Sequence, residues 1–318
     1  MGRPVGRPSA VALLLVGAAL VAPLTPKVSA QQAPVFRAGI DLVNLGLTVT
    51  DRKGGLTTDL TAGDFEVYED GKKQTIRYFA SGERSEGVQS DLHLGLLLDV
   101  SESMGDDLRF TRTAAIKFLN TLVDAVDVTV VDFDSEVRVA RYGQNEFARL
   151  IERIRQQKAT GMTALYDAIG VYLDGAAGLD GRKVMLLYTD GGDTRSSLRL
   201  RELVDLLKAS DVTVYAIGEL EHQSSVSRDQ ARNILQSIAA VSGGQAFFPS
   251  SVKELDQIYQ KVLAEIRAQY IIGYLSTNNA TDGAWRKVEI KIAPSGGRDL
   301  RVRARKGYFA PYKTPAKQ

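Results

Sequence analysis

The sequence predicts an α/β fold, in which a doubly wound, mostly parallel sheet carries helices on both faces and is flanked by N- and C-terminal antiparallel β segments. From residue 92 to 269, short apolar runs alternate with segments whose apolar residues recur at helical spacing. Strands covered on both faces show such runs, and regular strand–helix alternation builds a parallel sheet. Outside this region apolar residues recur at every second position, as in strands with one buried face.

Apolar runs mark the strands of the predicted sheet. The principal strands are expected at Leu92–Val100, Val128–Phe133, Val184–Thr189 and Val212–Ile217. Val137–Tyr142 follows the second of them so closely that an antiparallel edge hairpin is expected, and Gln245–Phe248 would be the last strand. Helical spacing is found at residues 115–122, 147–154, 165–172, 200–207, 231–238 and 251–262, the last of which opens with Ser251 and Glu254 at capping-box spacing.

The flanking segments alternate apolar and polar residues over short stretches, such as 43–49 and 288–292. Asp70-Gly71 carries the signature of a tight hairpin turn. Two interpretations remain open: the two segments pair into one β-sandwich with the α/β domain inserted between them, or they form two separate β units. The predicted organisation is a signal peptide at 1–30, an N-terminal β segment at 31–88, the α/β domain at 89–268 and a C-terminal β segment with a basic tail at 269–318.

Composition excludes several classes of function. The chain has 318 residues and no cysteine, so disulfides, thiol nucleophiles and cysteine metal sites are absent. The histidines, His93 and His222, are far apart in the sequence, which disfavours a histidine metal site and most Ser-His-Asp arrangements. The formal net charge of +2 argues against a dedicated nucleic-acid binder.

The first 30 residues have the pattern of a secretory signal peptide. Arg3 and Arg7 form a positive start, an apolar run covers 11–22, and Val28-Ser29-Ala30 supplies the small residues of a cleavage site. The apolar run is shorter than the ~18 residues that a transmembrane helix needs, although an uncleaved anchor is the alternative. We expect an exported protein, periplasmic or secreted, without a transmembrane span in the mature chain.

Oxygen-bearing side chains follow the ends of the predicted strands. Asp99, Ser101 and Ser103 come after the first strand, Asp190 follows the Val184–Thr189 strand, and Thr163 lies just before a helix. Loops at the carboxyl ends of parallel strands converge on one edge of the sheet. Carboxylate, hydroxyl and water oxygens suit Mg²⁺, with Mn²⁺ or Ca²⁺ as alternatives. Each residue by itself is more typical of a turn or a helix cap, so their joint occurrence carries the prediction.

Together these residues resemble a known family motif. Asp99-x-Ser101-x-Ser103, Thr163 and Asp190-Gly191 are similar to the metal-ion-dependent adhesion site (MIDAS) of the von Willebrand factor type A (VWFA) domain, over about residues 92–267. The whole chain also resembles exported bacterial VWFA-related proteins, through residues 64–72 and Gly307-Tyr308-Phe309. The resemblance implies a non-enzymatic adhesion module. By this resemblance, Ser101, Ser103 and, in some members of the family, Thr163 would contact the ion directly. Asp99 and Asp190 would hold it mainly through water, and an acidic residue of a protein partner would complete its coordination.

Further acidic residues lie beside the motif. Asp193 is expected to cap the following helix or to support the ion site from outside. Asp167, one turn into the helix after Thr163, is expected either to brace a loop by hydrogen bonds or to lie solvated in the helix's first turn.

The C-terminal segment is strongly basic. Residues 284–318 contain ten Lys and Arg against two acidic residues, and Arg301, Arg303 and Arg305 alternate with apolar residues. A solvated edge strand explains this pattern. A patch that docks an acidic envelope polymer or partner is the alternative.

Two other functions compete with adhesion. An exported metal-assisted hydrolase would use the ion to activate water, but the sequence offers no plausible base and no nucleophile-elbow motif. A structural envelope-assembly protein with a vestigial ion site would keep its fold without metal.

Overall fold

A computed structural model describes residues 42–81, 91–122, 125–293 and 299–312. The predicted signal peptide lies outside them, as does the end of the basic tail. The described strands are β1 (Leu42–Asp51), β2 (Phe65–Glu69), β3 (Lys72–Gln74), β4 (Ile76–Ser81), β5 (Leu92–Asp99), β6 (Ala125–Phe133), β7 (Val137–Gly143), β8 (Arg182–Thr189), β9 (Thr213–Gly218), β10 (Gln245–Phe247), β11 (Tyr270–Leu275), β12 (Trp285–Ile292), β13 (Leu300–Ala304) and β14 (Gly307–Phe309). The described helices are α1 (Leu108–Thr121), α2 (Phe147–Gln156), α3 (Leu165–Ala176), α4 (Leu200–Ala209), α5 (Ser225–Val241) and α6 (Val252–Ala268).

The central sheet confirms the predicted fold class. Its strand order is β10-β9-β8-β5-β6-β7, and every neighbouring pair is parallel except β6 with β7. β7 is therefore the antiparallel edge strand that the sequence predicts. β5 and β8 lie at the middle of the sheet and are buried almost throughout, which explains their nearly continuous apolar runs.

Helices cover both faces of this sheet. Apolar residues of α1, α2 and α6 pack on one face in a cluster that includes Phe118, Leu150 and Val262. Apolar residues of α3, α4 and α5 pack on the other face, where Ile169 and Leu203 are fully buried. The helical spacing in the sequence is thus satisfied on both sides. None of the described helices is both long and apolar enough to cross a membrane.

The two flanking segments share both remaining sheets. One sheet has the order β13-β1-β11-β4 and the other has the order β14-β12-β2-β3, so each contains strands from before and after the α/β domain. Leu45 pairs with Ile272, and Val67 pairs with Ile290. Buried residues of both sheets, such as Leu45 and Val67, belong to one apolar cluster. This agrees with the interpretation of one β-sandwich that is formed by both segments.

A buried carboxylate links three strands at one end of this sandwich. Glu69 on β2 is 2% exposed and accepts hydrogen bonds from Tyr274 Oη on β11 and Tyr308 Oη on β14, both at 2.8 Å. Ser276 Oγ, just after β11, donates to the other oxygen at 2.5 Å. Hydroxyl donors on both oxygens offset the cost of removing this carboxylate from water.

The sandwich packs against the amino edge of the central sheet, where the parallel strands begin. Arg303 on β13 donates to Gly243 O at 3.0 Å and to Gln245 Oε1 at 2.8 Å. Gly243 lies just before β10, and Gln245 is the first residue of that strand. The guanidinium of Arg303 also forms an ion pair with Glu265 of α6, which is 1% exposed. Gly243 adopts φ +81°, and a Cβ there would lie 2.8 Å from the Ala304 carbonyl carbon, so only glycine fits this contact.

The predicted basic patch is largely used inside the protein. Arg305 donates to Asn44 O at 2.7 Å and to Ser210 O at 3.3 Å, so it joins β1 to the loop after α4. Burial lowers the pKa of Arg305. Arg303 makes the contacts with β10 and α6 described above, whereas Arg301 is exposed. The alternating arginines therefore contribute mainly to packing between the sandwich and the α/β domain.

The Arg303–Glu265 ion pair yields a prediction for stability. R303M should lower the free energy of unfolding by about 3 kcal/mol, because it leaves the Glu265 carboxylate buried without its counter-ion. R301M, an exposed position on the same strand, should change it by less than about 0.5 kcal/mol. Denaturant titration followed by circular dichroism measures both. The double variant E265L/R303M should recover part of the loss, and an R303M protein as stable as R301M would contradict the assignment.

Candidate metal centre

The first loop of the candidate site begins with a fully buried carboxylate. Asp99 ends β5 and is 0% exposed. Its Oδ1 accepts hydrogen bonds from Ser101 N at 3.0 Å and from Ser101 Oγ at 2.6 Å, while its Oδ2 accepts one from Thr189 Oγ1 at 2.6 Å. Ser101 Oγ and Ser103 Oγ are 3.1 Å apart. The spacing of two residues therefore brings three oxygen-bearing side chains together, and Ser103 is exposed to solvent.

The second loop carries Thr163 and is bonded directly to the first. Glu102 N donates to Gly161 O at 3.0 Å, and Thr160 N donates to Val100 O at 2.9 Å. Gly161 adopts φ +74°, which permits the tight turn before Thr163. Thr163 is 5% exposed, and its hydroxyl makes no hydrogen bond to the described residues. That hydroxyl is available for a ligand.

The third loop carries Asp190 at the end of β8. Asp190 Oδ1 accepts a hydrogen bond from Gly192 N at 2.9 Å, and Asp190 O accepts one from Gln223 Nε2 at 2.7 Å. Gly191 adopts φ +80°, as the turn after Asp190 requires. The same loop reaches the second one, because Thr194 N donates to Thr163 O at 2.9 Å. Hydrogen bonds thus join the three loops that the sequence predicts to converge.

Asp193 and Asp167 brace these loops from the side. Asp193 Oδ1 accepts from Tyr166 N at 3.2 Å and from Ser196 Oγ at 2.6 Å, so it caps the first turn of α3, which precedes it, and not the following helix. Asp167 accepts from Ser197 N at 2.8 Å and from Leu198 N at 2.9 Å. Asp167 therefore braces a loop, which is one of the two roles that the sequence left open.

Electrostatics of the edge favour a bound cation. Burial raises the pKa of Asp99 to about 7, and the nearby Asp190 carboxylate adds to the rise, although hydrogen bonds from Ser101 and Thr189 oppose it. A positive ion between the two carboxylates would stabilise their charged forms. No group of three or more His, Asp or Glu side chains within the described ranges has the arrangement of a metal site. A metal here would therefore depend on the hydroxyls as well as the carboxylates.

A second buried acid, which sequence reasoning missed, lies just after β9. Glu219 is 5% exposed, and its Oε1 makes no hydrogen bond to the described residues. Burial, together with Asp107 and Glu221, raises the pKa of Glu219 to about 8. Its backbone N donates to Thr189 O at 3.0 Å, so it lies beside the third loop. Only its position after an apolar strand, the same signal that marked Asp190, could have identified it.

The histidines do not form a catalytic arrangement with the site serines. His93 lies at the start of β5, where Nδ1 is 2.8 Å from Asp127 Oδ2 and Nε2 is 2.9 Å from Asp180 O. This is the opposite edge of the sheet from Ser101. His222 Nε2 lies 3.3 Å from Asp107 Oδ1 at the start of α1. Among the described residues, neither imidazole is hydrogen-bonded to Ser101, Ser103 or Thr163.

The fold is an α/β domain with oxygen-bearing side chains on the carboxyl edge of a mostly parallel sheet. Residues 93–261 match the family model of the von Willebrand factor type A domain. Because the match covers more than half of the chain, this protein belongs to the von Willebrand factor type A family. Domains of this family are generally non-catalytic interaction modules, and they commonly bind a divalent ion.

Solved structures with a similar fold include bacterial proteins of low sequence identity. A von Willebrand factor type A protein from Catenulispora acidiphila is 15% identical, with a TM-score of 0.47 over 86% of this chain and 76% of that chain. BatB from Bacteroides thetaiotaomicron is 16% identical, with a TM-score of 0.44 over 55% and 99%. The vWF domain of the type V pili tip protein Mfa5 from Porphyromonas gingivalis is 13% identical, with a TM-score of 0.42 over 56% and 97%. No curated protein matches the chain.

Glu219 yields a prediction for the pH dependence of stability. Its folded pKa of about 8 exceeds the ordinary value of 4.5, so the folded state holds a proton that the unfolded state loses. The contribution of Glu219 to stability is therefore present at low pH and is lost as pH rises towards 8. Between pH 5 and pH 8, the free energy of unfolding of the metal-free parent protein should fall by about a few kcal/mol relative to that of E219Q.

Urea denaturation in EDTA at both pH values measures this difference. E152Q, which removes an exposed carboxylate on α2, is the matched control and should follow the parent protein. If the free energy of unfolding changes with pH in the same way in the parent protein and in E219Q, Glu219 has an ordinary pKa and the prediction is wrong.

Proposed function

We propose that this protein is an exported binding module that docks protein partners through a divalent cation. Asp99, Ser101, Ser103, Thr163 and Asp190 would hold the ion, with Mg²⁺ preferred and Mn²⁺ or Ca²⁺ as alternatives. The observation that carries the proposal is that hydrogen bonds join three loops around the buried Asp99 carboxylate, beside the paired hydroxyls of Ser101 and Ser103. Membership of the von Willebrand factor type A family supports it.

The residues present fit such an ion. Asp99 is already oriented by three hydrogen bonds, so its position does not depend on an ion. The Thr163 hydroxyl is not engaged by the described residues, and Ser103 opens the site to solvent. When bound, the cation would supply the positive charge that a partner carboxylate requires.

The chain's own charges explain why a partner carboxylate needs that cation. Asp190 lies on this edge, and Glu102, Asp106 and Glu221 are exposed around it. Their combined field repels an approaching anion at moderate ionic strength. Partner binding through an acidic residue should therefore be lost on metal removal.

Metal titration tests the proposal. Isothermal titration calorimetry of Mn²⁺ and Mg²⁺ into EDTA-stripped residues 31–318 should show one site. D99N and T163V should each weaken it about tenfold or more, because D99N removes a negative charge beside the ion and T163V removes a hydroxyl oxygen, while both keep the side-chain shape. T160V, on the same loop but with its hydroxyl bonded to Asp134, is the matched control.

Circular dichroism establishes that each variant is folded. A parent protein that binds neither ion, with its fold intact, would contradict the proposal and favour the structural envelope-assembly function. Equal affinities in T163V and T160V would remove Thr163 from the ligand set.

A further inference from the structure

A groove lies between α3 and α4, on one face of the central sheet. Its volume is about 920 Å³, within the range of small-molecule sites. The apolar part of its wall includes Val171 on α3 and Leu206 on α4, which are 44% and 40% exposed. Large apolar side chains therefore remain in contact with water along this groove, and their burial by a ligand would favour binding.

A glycine on α3 keeps the groove open. Gly170 lies in the wall, and a Cβ at this position would be 2.6 Å from Leu198 Cδ1 on the opposite side. A larger side chain there would push against Leu198 and narrow the space between the two helices. The groove follows α3 from Asp167 to Ala177, a distance of about 15 Å at the helical rise per residue.

Two cations line the end of the groove that lies at the amino edge of the sheet. Lys183, near the start of β8, has a side chain that is only 6% exposed, and its Nζ is 2.6 Å from Asp211 Oδ2. Arg305, immediately after β13, donates only to the backbone oxygens of Asn44 and Ser210. Arg305 makes no ion pair with the described residues.

The positive charge of Arg305 is incompletely compensated. A guanidinium carries five N–H groups, and Nε of Arg305 is buried without an acceptor among the described residues. Burial lowers the pKa of Arg305, although attraction to Asp211 opposes this change. Asp211 thus faces two cations, and an anion at this end of the groove would offset the cost of keeping Arg305 charged.

The other acidic residues of the wall do not supply that anion. Asp167, at the far end, accepts hydrogen bonds from Ser197 N and Leu198 N. Asp174 is exposed on α3, where solvent and salt screen its charge. Neither carboxylate is paired with Arg305. The groove therefore combines an apolar wall with one cationic end.

We propose that this groove binds a long-chain carboxylate, such as a fatty acid, whose carboxylate lies at Lys183 and Arg305 and whose alkyl chain follows the apolar wall between α3 and α4. An extended peptide would fit less well, because the backbone amides of both helices are bonded within the helices and could not pair with the amides of the peptide. An alkyl chain has no amides to satisfy. This site does not depend on the metal centre at the carboxyl edge.

Calorimetric titration in EDTA tests the inference with three probes: sodium decanoate, 1-decanol and sodium acetate. At pH 8 the carboxyl groups are ionised. Decanoate should bind at one site about tenfold more tightly than 1-decanol, because only decanoate places a charged acceptor beside the two cations. Acetate should bind far more weakly than decanoate, because it has almost no apolar surface to bury.

Two variants assign the binding to this groove. A209F adds a ring at an exposed position of the wall and should weaken decanoate binding about tenfold or more, because it occupies the space of the alkyl chain. A148F, at an exposed alanine of α2 on the other face of the sheet, is the matched control and should bind as the parent protein does. R305M should reduce the preference for decanoate over 1-decanol to less than about threefold, whereas a purely structural role of Arg305 would affect both probes equally. Circular dichroism checks the fold of each variant.

Each contrary outcome overturns a stated part of the inference. Equal affinities for decanoate and 1-decanol would overturn the role of the cations, and acetate binding as tight as that of decanoate would overturn the role of the apolar wall. Decanoate binding that is unchanged in A209F would place the ligand elsewhere, and a folded parent protein that binds no decanoate would overturn the site altogether. Because all titrations are made in EDTA, these outcomes leave the proposed metal-dependent function untouched.

Discussion

The carboxylate of Asp99 is the constraint on which the carboxyl edge depends. An acid that is fully removed from water at the end of a central strand must find hydrogen-bond donors nearby, or remain protonated. Ser101 supplies two donors from its own loop, and Thr189 supplies one from the neighbouring strand. The hydrogen bond from Thr189 ties β5 to β8 at the point where both strands end. The loops that carry Ser103 and Asp190 consequently start from fixed positions.

The two edges of the central sheet carry different kinds of side chain and make different contacts. At the amino edge, Arg303 and Arg305 bind backbone oxygens and a buried carboxylate, and so attach the sandwich to the α/β domain. At the carboxyl edge, hydroxyls and carboxylates remain accessible beside exposed Met162. Because parallel strands all end at the same edge, changes in the loops there leave the contacts with the sandwich intact. Substitutions at the proposed metal centre can therefore be separated from substitutions at the contacts with the sandwich.

Local patterns in the sequence were sufficient for the strands and helices of the α/β domain and for the hydroxyl and carboxyl groups that end or follow β5 and β8. The spacing of apolar residues follows from which faces of an element are buried. Burial on both faces gives β5 and β8 nearly continuous apolar runs. Contacts between distant segments were not accessible in this way. Arg303 looks like a solvated strand residue in sequence, and only the fold brings it to Glu265. Asp193 likewise caps α3 through a return of the chain that no local pattern encodes. Glu219 was overlooked because a single acid after a strand resembles any turn residue.

The shared sandwich also dictates an order of folding. Strands β1–β4 precede the α/β domain in the chain and β11–β14 follow it. Leu45 therefore cannot pair with Ile272 until the ends of the 226 residues between them have been brought together. Closing a flexible loop of that length costs about 4–5 kcal/mol of chain entropy. A folded α/β domain removes most of this cost, because β5 begins and α6 ends at the same edge of one sheet. The domain should therefore collapse first and act as the template on which the sandwich closes.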